Sequence, residues 1–213
     1  MRRGMFVSFE GLEGVGKTTA IERFSSLLDQ HGIDYVSTRE PGGTNVAERL
    51  RGIVLDEHEE ALTDTTELLL MFAARAQNVA QNIRPTLERG VWVICDRFTD
   101  ATLAYQGYGR GISLDRINQL ADWVHGDLWP DATVLLTADR ALTERRLSGR
   151  GQARDRIEQE RQEFFERAGN GYQALMQASP ERFHEIDANQ DLQGVAEQLE
   201  RLTAALVDRW KAR

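Results

Sequence analysis

The sequence predicts an α/β fold, a five-stranded parallel sheet with helices on both faces. Three observations lead there. Five short strand-like runs, Met5–Phe9, Ile33–Ser37, Val91–Cys95, Ala132–Thr137 and, with a weaker pattern, Arg182–Ile186, alternate with segments of helical periodicity. That order builds parallel strands joined by crossover helices. Met5–Phe9, Val91–Cys95 and Ala132–Thr137 are nearly continuous in apolar residues, as strands covered on both faces should be. Finally, a glycine-bearing stretch, Gly11-Leu12-Glu13-Gly14-Val15-Gly16-Lys17-Thr18-Thr19, separates the first run from the first helical segment.

The helical segments follow in order: Lys17–Gln30, Ala47–Leu55, Glu67–Leu87, Leu114–Val124, Leu142–Ser148, Glu158–Met176 and Leu192–Trp210. Before the third, Asp64 stands where a cap belongs, with Glu67 three positions on in capping-box spacing. Pro85 lacks the N–H its place in that helix requires and should kink or end it. Ser148-Gly149-Arg150-Gly151-Gln152-Ala153-Arg154 is basic, glycine-bearing and interrupts two helical patterns, so a short lid is expected over about 148–156. No repeat, low-complexity tract or linker divides the chain, which reads as one domain over 1–213.

Gly11 to Thr18 fits G-x-x-x-x-G-K-[ST], the phosphate-cradling P-loop, and it lies between a strand and a helix as that loop requires. The fold expected is therefore of the P-loop NTPase type. Glycines let backbone N–H groups close around a phosphate, and the following helix turns its positive end to the anion. Lys17 would reach the β- and γ-phosphates and Thr18 would ligate Mg²⁺. In open α/β sheets ligands bind beyond the carboxyl ends of the strands. The P-loop, Arg39-Glu40-Pro41-Gly42-Gly43-Thr44 and Asp96-Arg97-Phe98 all fall there.

Asp96 at a neighbouring strand end is the expected second partner for Mg²⁺, through water, and Arg97 beside it is placed for a second phosphate. Arg39, Arg51, Arg75, Arg97, Arg110, Arg150, Arg154 and Arg156 give many guanidinium forks, which suit phosphate oxygens. A site for two phosphorylated molecules is implied. A phosphate-monoester acceptor is largely dianionic at neutral pH and needs no strong base. Catalysis then consists of alignment and charge neutralisation, with a lid arginine compensating charge and excluding water.

Composition removes other classes. The formal net charge of −8 opposes a broad basic face for nucleic acid. No apolar stretch reaches membrane-span length, and the short run after Met1-Arg2-Arg3-Gly4 meets Glu10, so neither a membrane anchor nor a signal peptide is expected and a cytoplasmic protein is. The single cysteine, Cys95, lies in an apolar strand and reads as a buried thiol. His31, His58, His125 and His184 show no metal-ligand spacing. A nucleoside kinase would need a base for its acceptor hydroxyl, and a GTP-binding switch would carry an Asn-Lys-x-Asp reader, which is absent.

Taken together, the motifs resemble the bacterial thymidylate kinase family over essentially the whole chain. They are Phe9 to Thr19, Thr38 to Thr44, Ala73-Ala74-Arg75-Ala76-Gln77, Asp96-Arg97-Phe98, Ala104-Tyr105-Gln106-Gly107 with Gly109-Arg110-Gly111, and Asp155 to Glu160. The resemblance implies transfer of the ATP γ-phosphate to dTMP, with Mg²⁺, by a homodimer. It further implies that Glu13 accepts from the deoxyribose 3′-hydroxyl, that Arg39, Arg51 and Arg97 clamp the dTMP phosphate, and that Arg75 and Gln106, with Thr102, read the thymine edge. Tyr105 would crowd the sugar 2′ position, and Lys17, Asp96 and Arg97 would serve the transfer. Where some members carry a P-loop arginine this chain has Gly14, so that role should fall to the lid, with Arg150 ahead of Arg154. Many members stack Phe four residues before the base-reading arginine. Here that place is Met71 and Phe72 comes next; aromaticity favours Phe72, register Met71.

Overall fold

The computed structural model describes residues 2–149 and 155–213; Arg150 and Arg154, and most of the segment expected as a lid, lie outside the described residues. β1 (Phe6–Glu10) is the central strand. β3 (Trp92–Asp96) and β4 (Ala132–Thr137) flank it, β2 (Tyr35–Arg39) pairs with β3, and β5 (Phe183–Asp187) pairs with β4. All four pairings are parallel, giving the order 2-3-1-4-5.

Apart from β4, the strands run one or two residues further than the apolar runs suggested. The reason is that backbone ladders ignore side-chain polarity. Arg39 pairs across from Asp96, Asp96 from Phe9, and Asp187 from Thr137. The charged strand ends are thus held by the sheet itself.

Side-chain alternation divides the sheet's faces. Val7, Phe9, Trp92, Ile94 and Val134 meet Phe24 and Leu28 of α1 (Lys17–Gln30) and Leu199 and Leu206 of α9 (Leu192–Lys211). Phe6, Val93 and Cys95 face the other way, against Val79, Ile83, Leu87 and Phe98. By the same alternation Glu10 shares that second face, fully buried, with Ser8 and Thr133.

α2 (Asn45–Leu55) starts at Thr44, whose hydroxyl accepts from the Ala47 N–H at 3.2 Å. α3 (Asp64–Asn78) is capped by Thr63, not Asp64, through Thr66 N–H at 3.2 Å. Glu67 makes no capping box; it is buried and engaged elsewhere. The expected break near Pro85 comes as a π-helical turn, Val79–Ile83, before α4 (Arg84–Glu88). Widening the turn accommodates a residue that cannot join the regular ladder.

One element escaped the sequence reading: α5 (Thr99–Thr102) continues as a second π-helical segment, Leu103–Gly109. Gly107 and Gly109 disguise it. A Cβ on Gly109 would lie 2.7 Å from the Phe164 ring, so close packing of the next layer demands the glycine. That layer is α8 (Gln162–Ala178), which starts later than expected, after α6 (Leu114–Val124) and α7 (Arg140–Ser148). No described helix is long and apolar enough to cross a membrane. Cys95 is buried and free. His125 lies 2.8 Å from the Thr99 hydroxyl, and burial lowers its pKa to about 3, so it is a neutral structural residue.

Candidate active site

The loop after β1 opens with Gly11 at φ 133°, passes Gly14 at 75° and reaches Gly16 at 102°, backbone that residues with a Cβ rarely adopt. α1 then begins with no side-chain cap and no acidic residue in its first turn. Its leading N–H groups are therefore left for an anion. Lys17 reaches back to the Gly11 carbonyl at 3.4 Å. Burial, reinforced by the Arg97 charge, lowers its pKa to about 8 against the opposing pull of Asp96, Glu13 and Glu10.

α7 packs directly on this loop. A Cβ at Gly14 would stand 2.7 Å from the Thr143 carbonyl oxygen and 2.9 Å from Leu147 Cγ, so an arginine there has no room to start. Arg146 donates to the Val15 carbonyl at 3.0 Å and the Ala188 carbonyl at 3.2 Å, fastening helix to loop. Nothing in the arginine-rich sequence of α7 distinguished it.

A cleft opens beyond the ends of β1, β2 and β3. Among its lining residues are Glu13, Arg51, Met71, Arg75, Arg97, Thr102, Tyr105 and Gln106, all expected at the acceptor site. Two expected residues are not among them. Arg39 turns to Glu48, with Nη2–Oε2 at 2.8 Å, and stands half-exposed at the rim. Phe72 is only 2 % exposed and packs with Leu68, Leu103 and Ile117. Of the two candidates for covering the ring, Met71 is the one that lines the cleft.

Arg97 is the non-glycine residue with positive φ, 69°, among those described. Such a conformation costs on the order of 1 kcal/mol or more and persists only where the surroundings fix it. Here its N–H donates to the Phe9 carbonyl at 3.0 Å, and the next N–H, of Phe98, donates to Glu10 Oε1 at 2.7 Å. The guanidinium thereby faces the P-loop acid, donating to Glu13 Oε1 at 2.8 Å and to the Tyr172 hydroxyl at 3.2 Å. Tyr172 in turn donates to Glu10 Oε2 at 2.8 Å. Burial, with Asp100 nearby, pushes Glu10 up to about 8 although Arg97, Tyr172 and the Phe98 N–H oppose it. Tyr105 donates to both Glu13 oxygens, at 2.9 and 2.8 Å. Burial raises its own pKa well above the usual phenol value, which keeps it a donor.

At the inner end two polar side chains are half-satisfied. Arg75, 2 % exposed, donates from Nε to Glu40 at 2.6 Å and from Nη2 to Thr102 at 2.9 Å, while Nη1 has no partner among the described residues. Gln106 donates from Nε2 to Glu67 at 2.8 Å and leaves Oε1 without a partner among them. Asp96 Oδ1, at the end of β3, is left in the same state. Buried polar atoms are normally paired, so open ones lining a cleft mark where a ligand's own polar groups fit. Glu40 and Glu67, the acids behind the two side chains, were missed: one reads as part of a turn motif, the other as a cap.

A family model described as thymidylate kinase matches residues 9–199. The thymidylate kinase of Alkalilimnicola ehrlichii is 50% identical over 210 residues, spanning 99% of this chain and 97% of that one. That of Halorhodospira halophila is 52% identical over 198 residues, 92% of each chain. The crystal structure of Ehrlichia chaffeensis thymidylate kinase matches with a TM-score of 0.76 at 33% identity, covering 95% of this chain and 99% of that one.

Proposed function

The chain belongs to the thymidylate kinase family, and on that basis we propose how its residues share the transfer of the ATP γ-phosphoryl group to dTMP. The amides of the loop from Gly11 to Thr19 and the Lys17 ammonium hold the donor phosphates. Thr18 and Asp96 are the residues suited to Mg²⁺, the latter through water. The support is the open Asp96 Oδ1, together with the lack of any converging set of three His, Cys, Asp or Glu side chains among the described residues. Magnesium draws most of its ligands from phosphates and water and, when bound, offsets phosphate charge.

Arg97 and Arg51 receive the dTMP phosphate at the cleft mouth, and Arg39 joins them by leaving Glu48. Glu13 takes the 3′-hydroxyl, and Tyr105 lies along the sugar. Since the acceptor is a dianion, these groups need only align it and cancel charge. No P-loop arginine is available, because α7 occupies the space above Gly14, so Arg150 carries that role from the lid.

The observation that carries the reading is the open pair, a donor on Arg75 and an acceptor on Gln106. Thymine offers the complement, the O4 acceptor beside the N3–H donor, whereas cytosine reverses both. Met71 covers the ring. A coupled ATPase assay across dTMP, dUMP, dCMP and thymidine tests this; dTMP should lead clearly, and equal turnover of thymidine would sink the phosphate-clamp reading. In the same assay Arg150→Ala should lower kcat more than it raises KM for dTMP, and the reverse pattern would remove Arg150 from transfer. A homodimer is supported by Trp123 of α6, 83% exposed, and Leu69 of α3, 52% exposed. Sedimentation at the 24.1 kDa of one chain at all concentrations would exclude it.

A further inference from the structure

A carboxamide can offer a base either its oxygen or its NH₂, depending on which way it is turned. The direction of Gln106 is set from behind. Glu67 is 1% exposed and receives Gln106 Nε2 at 2.8 Å, Arg110 Nε at 2.7 Å and Arg110 Nη2 at 2.9 Å. A fourth donor, Arg156 Nη2, contacts its Oε2. Burial works to raise the carboxyl's pKa, but the hydrogen bonds from Arg110, Arg156 and Gln106 outweigh it and hold Glu67 below the usual range. Glu67 is therefore ionised and has no proton to give. Only the NH₂ end of Gln106 can face it, which leaves Oε1 to the cleft.

Resting on the reading of Gln106 as a base reader, we propose that Glu67 is a positioning residue for base selection. It locks the Gln106 amide with its acceptor toward the base, favouring rings with an N3–H and rejecting cytosine, whose N3 is itself an acceptor. Arg110 and Arg156 stabilise the charge that makes the lock one-directional. Each is anchored besides: Arg110 Nη1 holds Glu160 at 2.9 Å, and Arg156 Nε donates to the Val54 carbonyl at 2.9 Å. Glu67 need never touch the nucleotide.

The test compares kcat/KM for dTMP, dUMP and dCMP in Glu67→Gln, with KM for ATP as internal reference. A neutral amide at 67 can present oxygen or NH₂ to Gln106, so the Gln106 amide becomes free to turn. Activity with dTMP and dUMP, which share one hydrogen-bonding edge, should fall together, and the dTMP:dCMP ratio should shrink about tenfold or more. An equal fall for all three nucleotides, or an unchanged ratio, overturns the proposal. Should Glu67→Gln not fold, Glu67→Asp keeps the charge but withdraws it from Gln106, and the same ratio shift is expected. Gln106→Leu separates the layers. If it leaves the dTMP:dCMP ratio unchanged, the base-reading premise fails and Glu67's role with it. If it compresses the ratio while neither Glu67 variant does, only the role of Glu67 is lost.

Discussion

Replacing Arg97 by alanine is expected to reduce kcat/KM for dTMP roughly 10²- to 10³-fold, the scale of losing one fixed donor at a charged reaction centre. ATP binding should survive. The backbone at Arg97 is pinned by the Phe9 carbonyl and by Glu10 acting on the Phe98 N–H, so alanine removes the guanidinium without moving the strand end. What disappears is the positive partner of Glu13 and the link through Tyr172 to Glu10. Arg97→Lys restores a charge but not the fork that serves two acceptors at once, and should recover only part of the loss. Steady-state kinetics with a nucleotide-binding titration decide it; undiminished turnover in Arg97→Ala would take the residue out of the clamp.

Lys17→Met should be comparably severe, with kcat lower by roughly 10²-fold or more. It also carries a pH signature. With its pKa lowered to about 8, Lys17 is charged below that pH and loses its proton above it. Phosphate oxygens favour the charged form, so ATP binding raises that pKa, and ATP affinity in the wild type should fall as pH rises through about 8. The methionine variant should bind ATP more weakly and lack that component of the decline. Calorimetric titrations at pH 7 and pH 9 make the comparison, and an identical pH slope in both proteins would remove Lys17 from phosphate binding.

Much of this architecture is legible without coordinates because its signals are local. Continuous apolar runs report a doubly covered sheet, and glycines at fixed spacing report a loop closing on phosphate. The strands end beyond their apolar runs, at Glu10, Arg39 and Asp96, which look like loop residues in sequence, because a ladder pairs backbone irrespective of side chain. The helix over 99–109 was hidden by Gly107 and Gly109, whose purpose is visible only in the helix packed against them. For the same reason Phe72 and Met71 could not be separated: neighbours in sequence, they fall on opposite sides of a boundary between core and cleft. Glu67 shows the limit most clearly. An acid three residues into a helix satisfies a local rule, while its partners Gln106, Arg110 and Arg156 are 39, 43 and 89 residues away.

Because the Thr143 carbonyl stands where a side chain on residue 14 would begin, loop and helix α7 form an interlock. Neither half can be altered alone in this chain. An arginine grafted onto the loop is blocked by the helix, and a helix set back to admit one leaves a void over glycine. Position 14 and the face of α7 above it are thus constrained as one unit, and a side chain added at one has to be answered by a shift of the other.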